Sequence, residues 1–334
     1  MLDRLKPTYD VRAARMDDAE AVVALCNAWT MEMQGIRSHA VERRRIDWQR
    51  SGFNLETDSL VVHDATGVLA AYASVKDADE PHVRIDTAYY VRPDHEDREL
   101  EVEMLLWMER RAKQSLHRAP AEARVVLTHN AMVQDVGRRE ILTRQGYELV
   151  RHFLRLRIEM DAPPAVPELP QGIAIRSLNR ETDLPLVSMT ANEAFRGHWG
   201  HVERDFDEDV KRYERWLDDD PDLDPSVWYL ACEGDEVVGV LLGMTQWEGI
   251  ENCAYIFTLG VRNAWRGRGI GRALLAHSFG AFYDRRRSVV ELDVDTGNLT
   301  GACRLYESVG MREAWREDLY EKEIRPGVDL GTQA

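Results

Sequence analysis

Between Leu259 and Leu275 the sequence reads Leu-Gly-Val-Arg-Asn-Ala-Trp-Arg-Gly-Arg-Gly-Ile-Gly-Arg-Ala-Leu-Leu, so that glycines alternate with arginines. The apolar residues before the glycines predict a strand, and the apolar spacing after them predicts an amphipathic helix. A chain that leaves a strand, turns on glycines and enters a helix aims backbone N–H groups and the positive helix end at one spot. Such a spot accepts phosphate. Gly267, Gly269 and Gly271 let the main chain approach an anion with no Cβ in the way. Two nucleotide motifs are excluded. A P-loop ends in Gly-Lys-Ser/Thr, and here Gly271 is followed by Arg272. A dinucleotide fingerprint needs G-x-G-x-x-G, and these glycines fall at every second position.

Arg266-x-x-Gly269-x-Gly271 matches the Q/R-x-x-G-x-G/A signature of the GNAT (GCN5-related) N-acetyltransferases, which the chain resembles. Downstream, Leu292-Asp293-Val294-Asp295-Thr296-Gly297-Asn298-Leu299-Thr300-Gly301-Ala302 looks like the family's fifth strand and its Asn. Leu305-Tyr306-Glu307-Ser308-Val309-Gly310-Met311 resembles its "LYxxxGF" helix end, with Met311 where Phe is usual. The resemblance covers most of Gly172–Glu323. It implies acetyl-CoA as co-substrate. Leu259 and Val261 would offer main-chain groups to the pantetheine arm. Arg266, Gly267, Arg268, Gly269, Ile270, Gly271 and Arg272 would cradle the pyrophosphate. Asn298 would bond the cofactor near its pantetheine, and Tyr306 would protonate the departing thiolate.

The elements that must position these residues occur twice. The stretch Asp161-Ala162-Pro163-Pro164-Ala165-Val166-Pro167-Glu168-Leu169-Pro170-Gln171 reads as a proline-rich, extended linker between residues 1–160 and 172–334. Both flanking segments show a strand, a helical stretch, three strands, a long helix, a short apolar strand, a helix and a Gly-marked return to strand. Gly146-Tyr147 answers Gly310-Met311, and the hairpin joint Thr66-Gly67 answers Gly234-Asp235. The order implies a mixed-sheet α/β fold. With the resemblance, it implies two tandem GNAT-type acyl-CoA N-acyltransferase folds, in the manner of mycothiol synthase-like tandem acetyltransferases.

The first copy lacks the chemistry. An offset of 170 residues sets Glu96, Asp97, Glu99 and Glu101 against Arg266, Gly267, Gly269 and Gly271. Carboxylates repel phosphate, and their Cβ atoms block close backbone approach. An offset of 164 sets Leu142 against Tyr306. A degenerate N-terminal domain that binds no acetyl-CoA is expected, beside a catalytic C-terminal one. A monomer, carrying its own internal pseudo-dimer partner, is the expected state.

An attacking alkylamine with a pKa near 10.4 is only about one part in a thousand neutral at pH 7.4, so a base or a water chain is expected. The resembling tandem proteins carry a Glu on the fourth strand, where this sequence has Tyr255. Glu251, at the start of that strand, is the nearest carboxylate, with Glu248 second. Asn192-Glu193-Ala194-Phe195-Arg196-Gly197-His198-Trp199-Gly200 looks like the acceptor-side segment of the tandem group. It offers Glu193, His198 and Trp199, with Tyr255, as acceptor-pocket residues.

Composition narrows the acceptor. Asp+Glu outnumber Lys+Arg 59 to 43, a net charge of −16, which disfavours nucleic acid and anionic membranes. Residues 201–225 hold eleven carboxylates against four basic residues. A cationic small molecule fits that surface: an aminoglycoside, polyamine, amino sugar or amino acid derivative. A protein amine and a catalytically lapsed acetyl-CoA-binding regulator are the alternatives. No apolar stretch approaches the ~18–20 residues of a membrane span. The start Met-Leu-Asp-Arg-Leu-Lys-Pro lacks a signal-peptide core, and the four cysteines form no CxxC pair. Reduced thiols in a cytoplasmic protein without a metal site are expected.

Overall fold

The computed structural model describes residues 9–95, 98–165, 168–247, 249–297 and 301–332. In chain order its strands and α-helices are β1 (Asp10–Arg12), α1 (Ala19–Gln34), α2 (Val41–Gln49), α3 (Leu55–Asp58), β2 (Ser59–His63), β3 (Leu69–Lys76), β4 (Arg84–Val91), α4 (Arg98–Gln114), β5 (Val125–Met132) and α5 (Val136–Arg144). Then follow β6 (Glu148–Glu159), β7 (Ile173–Ser177), α6 (Leu184–Phe195), α7 (Phe206–Asp219), β8 (Tyr229–Glu233), β9 (Glu236–Met244), β10 (Cys253–Val261), α8 (Ile270–Asp284), β11 (Val289–Asp295), α9 (Ala302–Ser308) and β12 (Arg312–Arg325). The mixed α/β class and the doubled element order agree with the sequence.

The described residues up to His152 group with Arg316–Leu330, and Phe153–Trp315 group with Gly331 and Thr332. From sequence the first domain ends at residue 160 and the second opens at 172. The difference is an exchange of strands. β6 closes the first copy in sequence, yet its residues Phe153–Glu159 pair antiparallel with β11 of the second unit. β12 closes the second copy, yet Glu317–Arg325 pair antiparallel with β5 of the first unit. Neither helix nor strand is assigned to the described part of the proline-rich stretch at 161–172.

In the first unit β1, β2, β3 and β4 run as successive antiparallel neighbours, and β4 meets β5 in parallel over Arg84–Thr87. Its core gathers Val22, Leu25, Trp48, Val61 and Tyr72, where the Trp48 indole N–H donates to the Tyr72 hydroxyl at 2.9 Å.

In the second unit β7, β8, β9 and β10 are successive antiparallel neighbours. Strands β8 and β9 are buried almost throughout and read as continuous apolar runs, as strands covered on both faces must. Trp228 is fully buried and anchors its indole N–H on the Gly243 carbonyl at 3.0 Å. Two irregularities shape the site. The β9–β10 register shifts between Ile256 and Thr258, which leaves Phe257 as a bulge. And β10 pairs with β11 in parallel only from Cys253 to Tyr255, against Val289 to Glu291. Beyond that point β10 stays with β9 and β11 stays with β6, so the two parallel strands part.

Candidate active site

Where β10 and β11 part, a cavity of about 660 Å³ opens. One arm of its wall is Ile256–Val261 of β10 with Arg266, Gly267, Gly269, Ile270, Gly271 and Arg272. The other arm is Leu292–Asp295 of β11 with Gly301, Ala302, Leu305 and Tyr306. Phe195, His198, Trp199 and His201, after and at the end of α6, line it as well.

The turn has the backbone that its glycines allow. Gly267 and Gly269 lie at φ +76° and +83°, the left-handed region where a side chain is strained, and Gly269 is the N-cap of α8. Gly271 is set by space: a Cβ there would lie 3.2 Å from Leu305 Cδ2 and 3.8 Å from Val261 Cγ2. The first intrahelical bond of α8 is Ala273 N–H to the Gly269 carbonyl at 3.0 Å, so the preceding N–H groups have no acceptor within the helix. With the helix dipole behind them, they form an anion-accepting cradle. Arg266 fastens this cradle: its Nε donates to the Val261 carbonyl at 3.1 Å and its Nη2 to the Ala194 carbonyl at 2.6 Å.

Tyr306 stands on α9 at the opposite arm, 8% exposed. Burial, with Cys303 beside it, pushes the phenol up to about 12, so it carries its proton at neutral pH. His198 packs its ring edge-on to Phe195 with centroids 4.8 Å apart. Its Nε2 is buried and has no hydrogen-bond partner among the described residues. Burial and the nearby Arg266 lower the His198 pKa, which keeps the ring neutral.

The cavity wall thus unites Leu259, Val261, Arg266, Gly267, Gly269, Ile270, Gly271, Arg272, His198, Trp199 and Tyr306, all singled out from sequence. Other residues singled out stand elsewhere. Glu251 is exposed in the turn before β10, at the end where β10 and β11 are still paired, and is not on the wall. Glu193 accepts from Arg262 Nε at 2.6 Å and is not on the cavity wall. Arg268 is engaged by Glu233, its Nη2 at 2.5 Å. Tyr255 lies behind the wall: its ring stacks on Trp247 at 3.9 Å and its hydroxyl donates to Asp293 Oδ2 at 2.8 Å. Asn298 and Glu248 lie outside the described residues. Asp293, Asp295 and Thr258 are wall residues that sequence reading passed over, although Glu291, Asp293 and Asp295 fall on one face of β11 by simple alternation.

The matching place in the first unit is filled. β4 pairs with β5 only through Thr87, so those strands part as well. There Tyr89 stands where the second unit has Leu259, and Glu101 where it has Gly271. The Tyr89 hydroxyl donates to Glu101 Oε2 at 2.9 Å, and Arg98 Nη1 donates to Glu101 Oε1 at 2.9 Å. Arg138, opposite Ala302 in the repeat, lies 4.3 Å from the Tyr89 ring centroid and 4.7 Å from that of Trp29. His129 stacks on Tyr89 at 5.1 Å, and burial with Arg138 nearby lowers its pKa to about 3. Tyr89, His129 and Arg138 are all buried. Glu96 and Asp97 lie outside the described residues.

The fold, present twice in one chain, is that of the acyl-CoA N-acyltransferase class, and only the second copy keeps the place between the parting strands open. The description "Acetyltransferase (GNAT) family" matches residues 191–311, which span the whole cradle and α9. A crystal structure of a GCN5-related N-acetyltransferase from Sphaerobacter thermophilus is similar over 97% of this chain and 98% of that one, at 32% identity and a TM-score of 0.84. A tandem GNAT protein from the clavulanic acid biosynthesis pathway shares the fold over 96% of this chain and all of that one, with a TM-score of 0.75 at 12% identity. The chain belongs to the GCN5-related N-acetyltransferase family and is of its tandem type. Among curated relatives, a mycothiol acetyltransferase of Thermobispora bispora is 31% identical over 52% of this chain and 58% of its own length. Another, of Saccharopolyspora erythraea, is 26% identical over 75% of this chain and 81% of its own length. The chain spans 58% and 56% of the first two such relatives, little more than half. Among the described residues no helix is long and apolar enough to cross a membrane, and no cluster of three or more His, Cys, Asp or Glu could hold a metal ion.

Proposed function

We propose that the chain transfers an acetyl group from acetyl-CoA to the primary amine of a cationic small molecule, using the second unit alone. One observation carries the reading: a single cavity joins the glycine turn at Arg266–Arg272 to the buried Tyr306 and to Asp293 and Asp295. The residues fit acetyl-CoA. A Cβ at Gly271 would press on Leu305 and Val261 of the cavity wall, and two left-handed glycines open the turn to a pyrophosphate. The main chain of Leu259 and Val261 lines the path a pantetheine arm would take along the free edge of β10. That edge is free because β11 has departed, so its unpaired groups can bond an extended ligand as a further strand would.

In the reaction the amine nitrogen forms a C–N bond to the thioester carbonyl carbon, and the C–S bond breaks. The amine gives up a proton, and the Tyr306 hydroxyl supplies one to the departing thiolate. An acid that stays protonated to about 12 suits this role, because its proton is present across the working pH range. The acceptor approaches between Trp199, His201 and the acidic strand β11. Curated relatives bear the name mycothiol acetyltransferase, which makes a mycothiol-type amine the first compound to test, ahead of aminoglycosides, polyamines and amino acid derivatives. Release of free CoA thiol from acetyl-CoA, dependent on an added amine, tests the reading. Acetyl-CoA binding with no thiol release across a broad amine panel would favour a lapsed, regulatory protein instead.

A further inference from the structure

We propose that Asp293 is the carboxylate that receives the acceptor's amine and takes its proton, and that Arg155 and Tyr255 hold it in position. The inference rests on the acetyltransferase reading above and names the group that the reading lacks, since Glu251 stands away from the cavity.

Position comes first. The parallel pairing of β10 with β11 ends at Tyr255 and Glu291. Asp293 is the next residue on the same face of β11, so it sits where the strands have begun to part. Its side chain is 34% exposed and lies on the cavity wall, whereas that of Glu291 is fully buried.

Orientation comes second. Arg155, on the adjacent strand β6, faces Asp293 across the register. Its Nε donates to Oδ1, and its Nη2 donates to Oδ2 at 2.9 Å. Its Nη1 donates to Glu291 Oε2 at 3.1 Å. The Arg155 guanidinium is backed by the rings of Trp247, Tyr255 and Trp315, at 5.4, 5.1 and 5.0 Å. Tyr255 adds its hydroxyl to Oδ2. A carboxylate has about four acceptor positions, and three donors leave one on Oδ1. The fork and the phenol thus fix the carboxylate and leave a lone pair for the ligand.

Charge comes third. The face of β11 carries Glu291, Asp293 and Asp295, and β6 sets Arg155 and Arg157 against them, with Glu159 beside Arg157 at 3.7 Å. Carboxylates exceed guanidiniums here, so an ammonium improves the balance. The other wall groups that could accept a proton are less suited. Asp295 Oδ1 accepts the Gly297 N–H at 2.8 Å at the strand end. His198 lies beside Arg266, and His201 beside Arg204 and Arg196, and these guanidiniums repel a cation. In the step, the bound ammonium first releases one proton to solvent; the neutral amine then attacks, its next proton passes to Asp293 as the C–N bond forms, and the Tyr306 proton passes to sulfur as the C–S bond breaks. Solvent then returns the proton from Asp293 to Tyr306, which restores both groups.

The test uses the full chain, acetyl-CoA and the best amine found by thiol release. Asp293→Asn is expected to bind acetyl-CoA as the wild type does, and to lose about 100-fold or more in kcat/KM for the amine. Asp293→Glu, which keeps the charge on a longer arm, is expected to recover part of that loss. Tyr255→Phe, which removes one positioning contact, is expected to raise the amine KM several-fold with acetyl-CoA affinity unchanged. An Asp293→Asn variant within threefold of wild type would overturn the inference while wild-type turnover upholds the acetyltransferase reading. So would an Asp293→Glu variant as inactive as Asp293→Asn with full acetyl-CoA binding. A wild type that binds acetyl-CoA but acetylates no amine would remove the reading itself, and the inference with it.

Discussion

Arg266 Nη2 donates to the Ala194 carbonyl at 2.6 Å, which ties the glycine turn to the end of the helix that leads into the loop of His198 and Trp199. One guanidinium thereby joins the end of β10 to α6, since its Nε also holds the Val261 carbonyl. Arg266→Ala should weaken acetyl-CoA binding by about tenfold or more, since hydrogen bonds from charged groups contribute on the order of 1.5–3 kcal/mol each. Arg266→Lys should restore little, because a single ammonium cannot span both carbonyls. Calorimetry on the two variants checks this; equal, undiminished affinity in both would remove the residue from the cradle.

Gly269→Glu reproduces in the second unit what Glu99 is in the first. At φ +83° the new side chain costs about 1–2 kcal/mol in backbone strain and brings a carboxylate to the phosphate cradle. The variant should stay folded and lose acetyl-CoA binding. Circular dichroism alongside calorimetry separates the two effects.

Tyr306→Phe should lower kcat by ten- to a thousandfold and leave the acetyl-CoA dissociation constant within about threefold, because the role proposed for the phenol is on the leaving group rather than on binding. Its titration also has a stability signature. Burial raises the folded pKa to about 12 from an unfolded value near 10, so the folded chain holds this proton more tightly. Below about pH 10 its contribution is full and constant; between about pH 10 and 12 it is lost as pH rises. Urea unfolding should show a steeper alkaline loss in wild type than in Tyr306→Phe.

Arg138 in the first unit lies between Trp29 and Tyr89 and stands where the second unit has the small Ala302. Removing it empties buried space and leaves Tyr89 and His129 without their packed neighbour. Arg138→Ala should lower unfolding stability by about 2–4 kcal/mol without changing acetyl-CoA affinity. A variant of wild-type stability would show that the plug is not structural.

Much of this was legible in the residues. Strand, glycine turn and helix at 259–275 are local features, and local rules place them: the positive φ of Gly267 and Gly269 and the N-cap at Gly269 follow from the pattern itself. Tyr306 falls on the cavity wall because α9 follows directly from β11. The repeat was legible too, and with it Glu101 in place of Gly271. What escaped is non-local. The exchange of β6 and β12 depends on which sheet a closing strand joins, and alternation within a strand does not name its neighbour. Asp293 escaped for a related reason. Its worth depends on where two parallel strands cease to pair, which is set by the β6 and β9 partners and not by the residues beside it. Glu251 is the nearest carboxylate along the chain, yet it stands at the paired end of β10. Glu193 and Arg268 were plausible by position, but each is engaged by an ion partner, Arg262 and Glu233, that no local pattern announces.

A calorimetric titration of the full chain with acetyl-CoA asks whether one of the two homologous folds, or both, holds the cofactor. The account predicts one mole bound per mole of chain, and none in Gly269→Glu. Two moles bound by the wild type, or one mole still bound by Gly269→Glu with undiminished affinity, would contradict it.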